Sequence, residues 1–181
     1  APMHTPNGAR LLSSVSARIL TGAAALLLAG CVAKTTVDQQ TAGWSINRIY
    51  SEARDESQSG GYDRAVELYN VLEGRAAGTT LAQQAQLEKA YAQFQNTDTE
   101  EAKATLDRFI RLNPGSPGLD YAYYLKGVVS FSENAGWLSA LTKQDLIERD
   151  QKAAKESFAA FKEVVTRFPE SRYASDSRHR M

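Results

Sequence analysis

The chain has one cysteine and two histidines among its 181 residues. A lone thiol, Cys31, cannot close a disulfide within the chain, so packing alone must hold the fold. His4 and His179 stand near opposite ends. No Ser-His-Asp or Cys-His set can be assembled from them, and no metal site has enough His or Cys ligands. No cofactor and no metal are expected. An excess of charge is missing too, with 21 basic and 21 acidic residues. The chain therefore has no basic field to gather nucleic acid. Long apolar runs are also absent. The best, residues 19–29, is short of the roughly 20 residues that a membrane-spanning helix needs. Gly60-Gly61 and the glycines at 115 and 118 punctuate turns and lack the spacing of a phosphate loop. Glu52, Asp55 and Glu56 cluster as a solvated helix face would, and do not suggest a catalytic acid pair. An enzyme is not expected.

What is present begins with Leu28-Ala29-Gly30-Cys31. Arg10 and Arg18 precede a short apolar stretch that ends in small residues. This is the order of a secretory signal peptide. The cut would fall before Cys31, an arrangement that looks like a lipobox, with Cys31 acylated as the mature N-terminus. Val32 follows where an aspartate would signal retention at the inner membrane, so the expected location is the outer membrane. Residues 1–30 are read as signal peptide and residues 31–43 as lipidated cysteine and flexible polar tether. From residue 31 on, 19 basic and 21 acidic groups remain.

From residue 44 to 181 the pattern is helical, because Ala, Glu, Gln, Lys and Leu dominate and strand-like alternation is missing. Helices are expected over residues 44–59, 62–74, 80–95, 99–112, 118–132 and 150–168. A looser insertion is expected over 133–149, and an incomplete helix from 173. Thr97 or Asp98 is expected to cap the fourth helix, and Pro114 and Pro169 to stop the fourth and sixth.

The helices pair, and the pairs repeat. Ala65 and Ala102 lie 37 residues apart, close to the period of about 34 in a tetratricopeptide repeat. Small residues recur where paired helices would cross: Ala53, Ala90 and Gly127 on the first helix of each pair, Ala65, Ala102 and Ser157 on the second. Large residues follow four positions later, at Tyr69, Leu106 and Phe161. Arg111-Leu112-Asn113-Pro114-Gly115-Ser116 is echoed by Arg167-Phe168-Pro169-Glu170-Ser171, and Tyr121-Ala122 by Tyr173-Ala174. The expected fold is an all-α tetratricopeptide superhelix of about three repeats, incomplete at its C-terminal end. Such a stack has a concave face lined by the first helix of each pair. The period places Tyr50, Arg54, Gln84, Leu87, Tyr91, Phe94, Tyr121, Tyr124 and Phe131 there. Rings with polar handles suit capture of a peptide segment.

Several stretches together resemble the BamD (ComL) family of lipoproteins. They are Gln83-Gln84-Ala85-Gln86-Leu87 with Tyr91-Ala92, Ala102, Arg108-Phe109-Ile110-Arg111-Leu112-Asn113-Pro114, Pro117, Asp120-Tyr121, Arg149-Asp150, and Arg167 through Ala174 with Asp176. That family serves the machine that assembles β-barrels in the bacterial outer membrane. The resemblance implies five repeats on a lipid anchor facing the periplasm. It implies that the N-terminal repeats receive unfolded barrel precursors. The C-terminal repeats would dock the core barrel subunit of the BAM complex beside accessory lipoproteins. No reaction would be catalysed. Three departures stand out. The chain ends after about three repeats, as a truncated copy or fragment would. The turn Arg75-Ala76-Ala77-Gly78 lacks the usual aromatic and proline. Ser57 stands where a leucine is usual. Two other readings are open: a tetratricopeptide lipoprotein scaffold for cell-wall synthesis or division, and an exported peptidoglycan hydrolase.

Overall fold

The computed structural model describes residues 36–133 and 143–181, with side chains described through 132 and from 151. Residues 1–35, including Cys31 and the expected signal peptide, lie outside the described residues, as does most of the first half of the expected insertion. The folded unit runs from Val37 to Met181. Among the described residues are eight helices: α1 (Val37–Gln40), α2 (Ile46–Ser59), α3 (Tyr62–Arg75), α4 (Thr80–Gln95), α5 (Thr99–Leu112), α6 (Leu119–Glu133), α7 (Lys143–Arg167) and α8 (Ala174–Arg180). From α2 onward each packs on the next in chain order, and α4 also touches α6.

Local chemistry sets the ends. Ser45 Oγ accepts the Arg48 amide at 3.2 Å and starts α2; Thr79 Oγ1 does the same for Ala82 at 3.2 Å and starts α4. Each satisfies one of the donors that a helix start leaves unpaired. Gly60, at φ 88°, ends α2 in the left-handed region that glycine enters without strain. The start of α5 is built differently from expectation. Asp98 holds the capping position but makes no capping bond; its carboxylate instead accepts the Asn96 side-chain amide at 2.8 Å. Thr97 takes φ 66°, unusual for a β-branched residue.

The small residues expected at crossings are all buried, and so are Tyr69, Leu106 and Phe161 four positions on. Gly127 shows why size matters there: a Cβ would stand 2.6 Å from the Phe161 ring. Ser157 Oγ donates to the Gly127 carbonyl at 3.0 Å across the same crossing. The echoed turns are echoed in their bonds. The Ser116 amide donates to the Asn113 carbonyl and the Ser171 amide to the Phe168 carbonyl. The Ser116 hydroxyl then donates to Gln83 and the Ser171 hydroxyl to Asp120.

The core forms two clusters. Ile49, Ala53, Leu68, Tyr69 and Leu72 build the first with Ala82, Ala85 and Ala92 of α4. Leu106, Phe109, Leu119, Leu125 and Val129 build the second with Leu87 and Ala90 of α4. Helix α4 thus feeds both. An ion pair crosses the same junction: Lys89 Nζ, almost wholly buried, lies 2.5 Å from Glu73 Oε1 and donates to Asn70 at 3.0 Å. Arg108 reaches the other Glu73 oxygen at 2.9 Å. Burial lowers the Lys89 pKa, and Glu73 opposes that shift.

Two boundaries move. Helix α7 begins at Lys143, inside the stretch expected to be a loose insertion. The expected flexible tether is folded from Val37 on. Arg75 donates to the Thr41 carbonyl at 2.7 Å and to Asp38 at 2.9 Å, and Thr41 is fully buried. A side chain 34 residues away therefore seats α1 against α3.

Candidate functional site

Tyrosines of α2, α3 and α6 are held by carboxylates of α4 and α8. The first group centres on Glu88. Its Oε1 accepts Tyr50 Oη from α2 at 2.7 Å and the Gln84 amide at 2.7 Å. Its Oε2 accepts Tyr69 Oη from α3 at 2.7 Å. Gln84 and Glu88 are four residues apart, so one helical face carries both. Burial, then the Glu88 bond and charge, push the Tyr50 pKa up to about 12 and raise that of Tyr69 further. The Arg54 guanidinium sits 5.8 Å from the Tyr50 ring centre, on the exposed side.

The second group joins α6 to α8. Tyr124 stacks on Tyr173 at 4.6 Å between ring centres, and Tyr121 lies 5.4 Å from the same ring. Tyr124 Oη donates to Asp176 at 2.8 Å, and Arg180 Nε donates to the same oxygen at 2.6 Å. The Arg180 bond, then the Tyr124 bond, hold the Asp176 carboxyl below its usual range. Burial, then the bond to Asp176, raise the Tyr124 pKa.

Between the groups stands Tyr91 on α4, 40 % exposed. Burial first, then Tyr173, Tyr91 and Glu88 in turn, raise the pKa of Tyr121. Electrostatic reach thus connects the two groups across α4 and α6. Each bonded hydroxyl fixes its ring, so the rings are pre-oriented at low entropy cost.

The residues expected on this face fall out unevenly. Tyr50, Gln84, Tyr121 and Tyr124 lie within the two groups, with Arg54 and Tyr91 exposed beside them. Phe94 is half-buried against the second core. Phe131 is exposed two turns beyond Tyr124. Leu87 is a correction: it is only 4 % exposed and belongs to the second core, its Cδ1 filling the space that a Cβ on Gly118 would take. Helix α4 has neighbours on both sides, so Leu87, unlike the exposed Tyr91, is packing. Four residues were not expected in the site: Glu88, Tyr69, which was expected only at a helix crossing, and Tyr173 and Asp176, which were noted only in the repeat and the resemblance. Glu88 looked like any solvated helix carboxylate. The signal for Tyr173 was its place as the repeat mate of Tyr121.

The described residues hold no His/Cys/Asp/Glu cluster suited to a metal, and none of their helices is long and apolar enough to cross a membrane.

Stacked helical hairpins with small residues buried at their crossings define a helical-repeat protein of the tetratricopeptide type. The match to family models is specific: residues 44–181 fit the family YfiO, described as outer membrane lipoprotein. The chain belongs to that family. Its relatives include the outer membrane protein assembly factor BamD of Neisseria meningitidis serogroup B, 45 % identical over 166 residues. That match covers 90 % of this chain and 62 % of the relative. The BamD of Neisseria gonorrhoeae is 43 % identical over the same shares, and that of Vibrio cholerae 34 % identical over 75 % of this chain and 56 % of its own length. The chain thus spans less than two thirds of the length of these relatives.

Proposed function

We propose that the chain is a non-enzymatic subunit of the outer-membrane β-barrel assembly machine, acylated on Cys31 and facing the periplasm. It receives unfolded barrel precursors on its inner face and works beside the core barrel subunit and accessory lipoproteins of the BAM complex. It binds, positions and hands over. Family membership and relatives named as assembly factors support this reading. The observation that carries the binding role is the tyrosine series, with Tyr50 and Tyr124 tied to Glu88 and Asp176 at 2.7 and 2.8 Å. Rings locked in this way offer wide apolar area to an extended peptide while losing little freedom on binding. Near-neutral charge argues against nucleic acid as the partner.

The test is fluorescence anisotropy with labelled peptides from the C-terminal strands of outer-membrane barrels. Tyr91→Ala should weaken binding at least fivefold, about 1 kcal/mol, and Tyr91→Ala with Phe94→Ala further. Circular dichroism should show that both variants keep their helices. Unchanged affinity in folded variants would remove the inner face from the proposal.

A further inference from the structure

The chain enters the domain at Val37, six positions after Cys31 in the sequence. The entering segment is fixed, since Thr41 Oγ1 donates to the Val37 carbonyl at 2.8 Å and Arg75 clamps Thr41 and Asp38 onto α3. Only residues 32–36 separate Cys31 from Val37. Fully extended, that link reaches about 20 Å. A lipid-borne Cys31 therefore keeps this edge of the domain within that distance of the bilayer surface.

The edge has the composition of an interfacial contact. Trp44 is half-buried against the first core, and the Arg48 guanidinium lies 4.1 Å above its ring. Ile46 beside them is 38 % exposed, one of few large apolar side chains left open among the described residues. It borders a shallow, mostly apolar groove of about 470 Å³ lined by Ser45, Ile46, Asn47, Ala76, Thr79 and Leu81. Tryptophan and arginine together suit the headgroup layer, where a ring sits between apolar and wet surroundings and a guanidinium meets phosphate. Held this close, even weak contacts are occupied, because the tether sets a high local concentration.

We propose that this edge, formed by Trp44, Ile46, Arg48 and the groove beside them, rests on the phospholipid surface that holds the acyl chains of Cys31. The inference depends on acylation of Cys31 as proposed above. It adds a second, oriented contact and makes the domain lie at a set attitude to the membrane.

The experiment uses the full acylated chain in vesicles of phosphatidylethanolamine and phosphatidylglycerol. Trp137→Phe leaves Trp44 as the sole tryptophan reporter. Flotation reads the anchor, and quenching of Trp44 by brominated lipid reads the docking. The protein should float and Trp44 should be quenched. Ile46→Asp with Arg48→Glu, both at exposed positions, should cut quenching at least twofold while flotation and helical dichroism persist. Flotation without quenching overturns the docking and leaves the anchor standing. Failure to float overturns the anchor and the docking with it. A Trp44 change that follows protein concentration in the absence of lipid marks self-association and also overturns the proposal.

Discussion

Glu88 does most at the scale of single residues. One carboxylate accepts three bonds from three helices and orients Tyr50 and the buried Tyr69. Glu88→Gln keeps the shape but removes the charge. The Tyr50 pKa, held at about 12, should then fall part of the way towards the ordinary value of about 10, because burial still opposes ionisation. Alkaline titration of tyrosinate absorbance reads this, and an unmoved late-titrating fraction would sink the assignment. The sign of the linked stability follows from the raised pKa values. Below pH 10 the tyrosines are protonated both folded and unfolded. As the pH rises past 10 the unfolded chain releases protons that the fold retains, so stability falls progressively towards pH 12. Glu88 was the residue least legible in the sequence. Its role comes from Tyr69 on another helix, 19 residues away, and no local pattern encodes that meeting. Leu87 misled for the opposite reason. Helical spacing shows that a residue shares a face with Tyr91 or Gln84 but not which face is covered from both sides.

Among the elements, the hairpin helices were largely legible and α1 was not. The hairpins require small residues at close crossings and punctuation at turns, and the chain carries both at a steady period. Helix α1 has no such pattern; Val37-Asp38-Gln39-Gln40 reads as polar tether. What folds it is tertiary, the Arg75 clamp. Arg75→Ala should therefore release α1. We expect amide exchange at Thr41 and Trp44 to quicken at least tenfold, since their amides bond within this segment. Global stability should fall by only about 1 kcal/mol, because the pair with Asp38 is largely exposed. Exchange rates unchanged from the parent would show that α1 is held by other means. The start of α7 at Lys143 escaped for a related reason: the mixed, charged run before Asp150 gives periodicity little to grip.

For the molecule as a whole, α4 belongs to both cores, and the two should therefore unfold as one. Leu106, fully buried in the second core, tests this. Leu106→Ala should cost about 2–5 kcal/mol. Urea unfolding followed by Trp44 fluorescence in a Trp137→Phe background reports from the first core. Its midpoint should drop together with that of the helical dichroism. A Trp44 midpoint that stays put while the rest unfolds early would mean that the hairpins melt independently, as nearest-neighbour repeat arrays can. The repeat, its crossings and its turns could be read from the chain because repetition states the same constraint several times. The bonds that tie Tyr50, Tyr69 and Tyr124 to Glu88 and Asp176 needed the stack itself.

The position of α4 also limits how the domain can be taken apart. A hairpin of α4 and α5 cut free from its neighbours would turn Ala82, Ala85 and Ala92 to water on one side and uncover Leu87 on the other. Exchange of hairpins between relatives should therefore be made in the turn 113–118 or beyond, with α2 through α5 moved as a block, and the residues of the recipient that meet Leu87, Leu106 and Phe109 chosen to match.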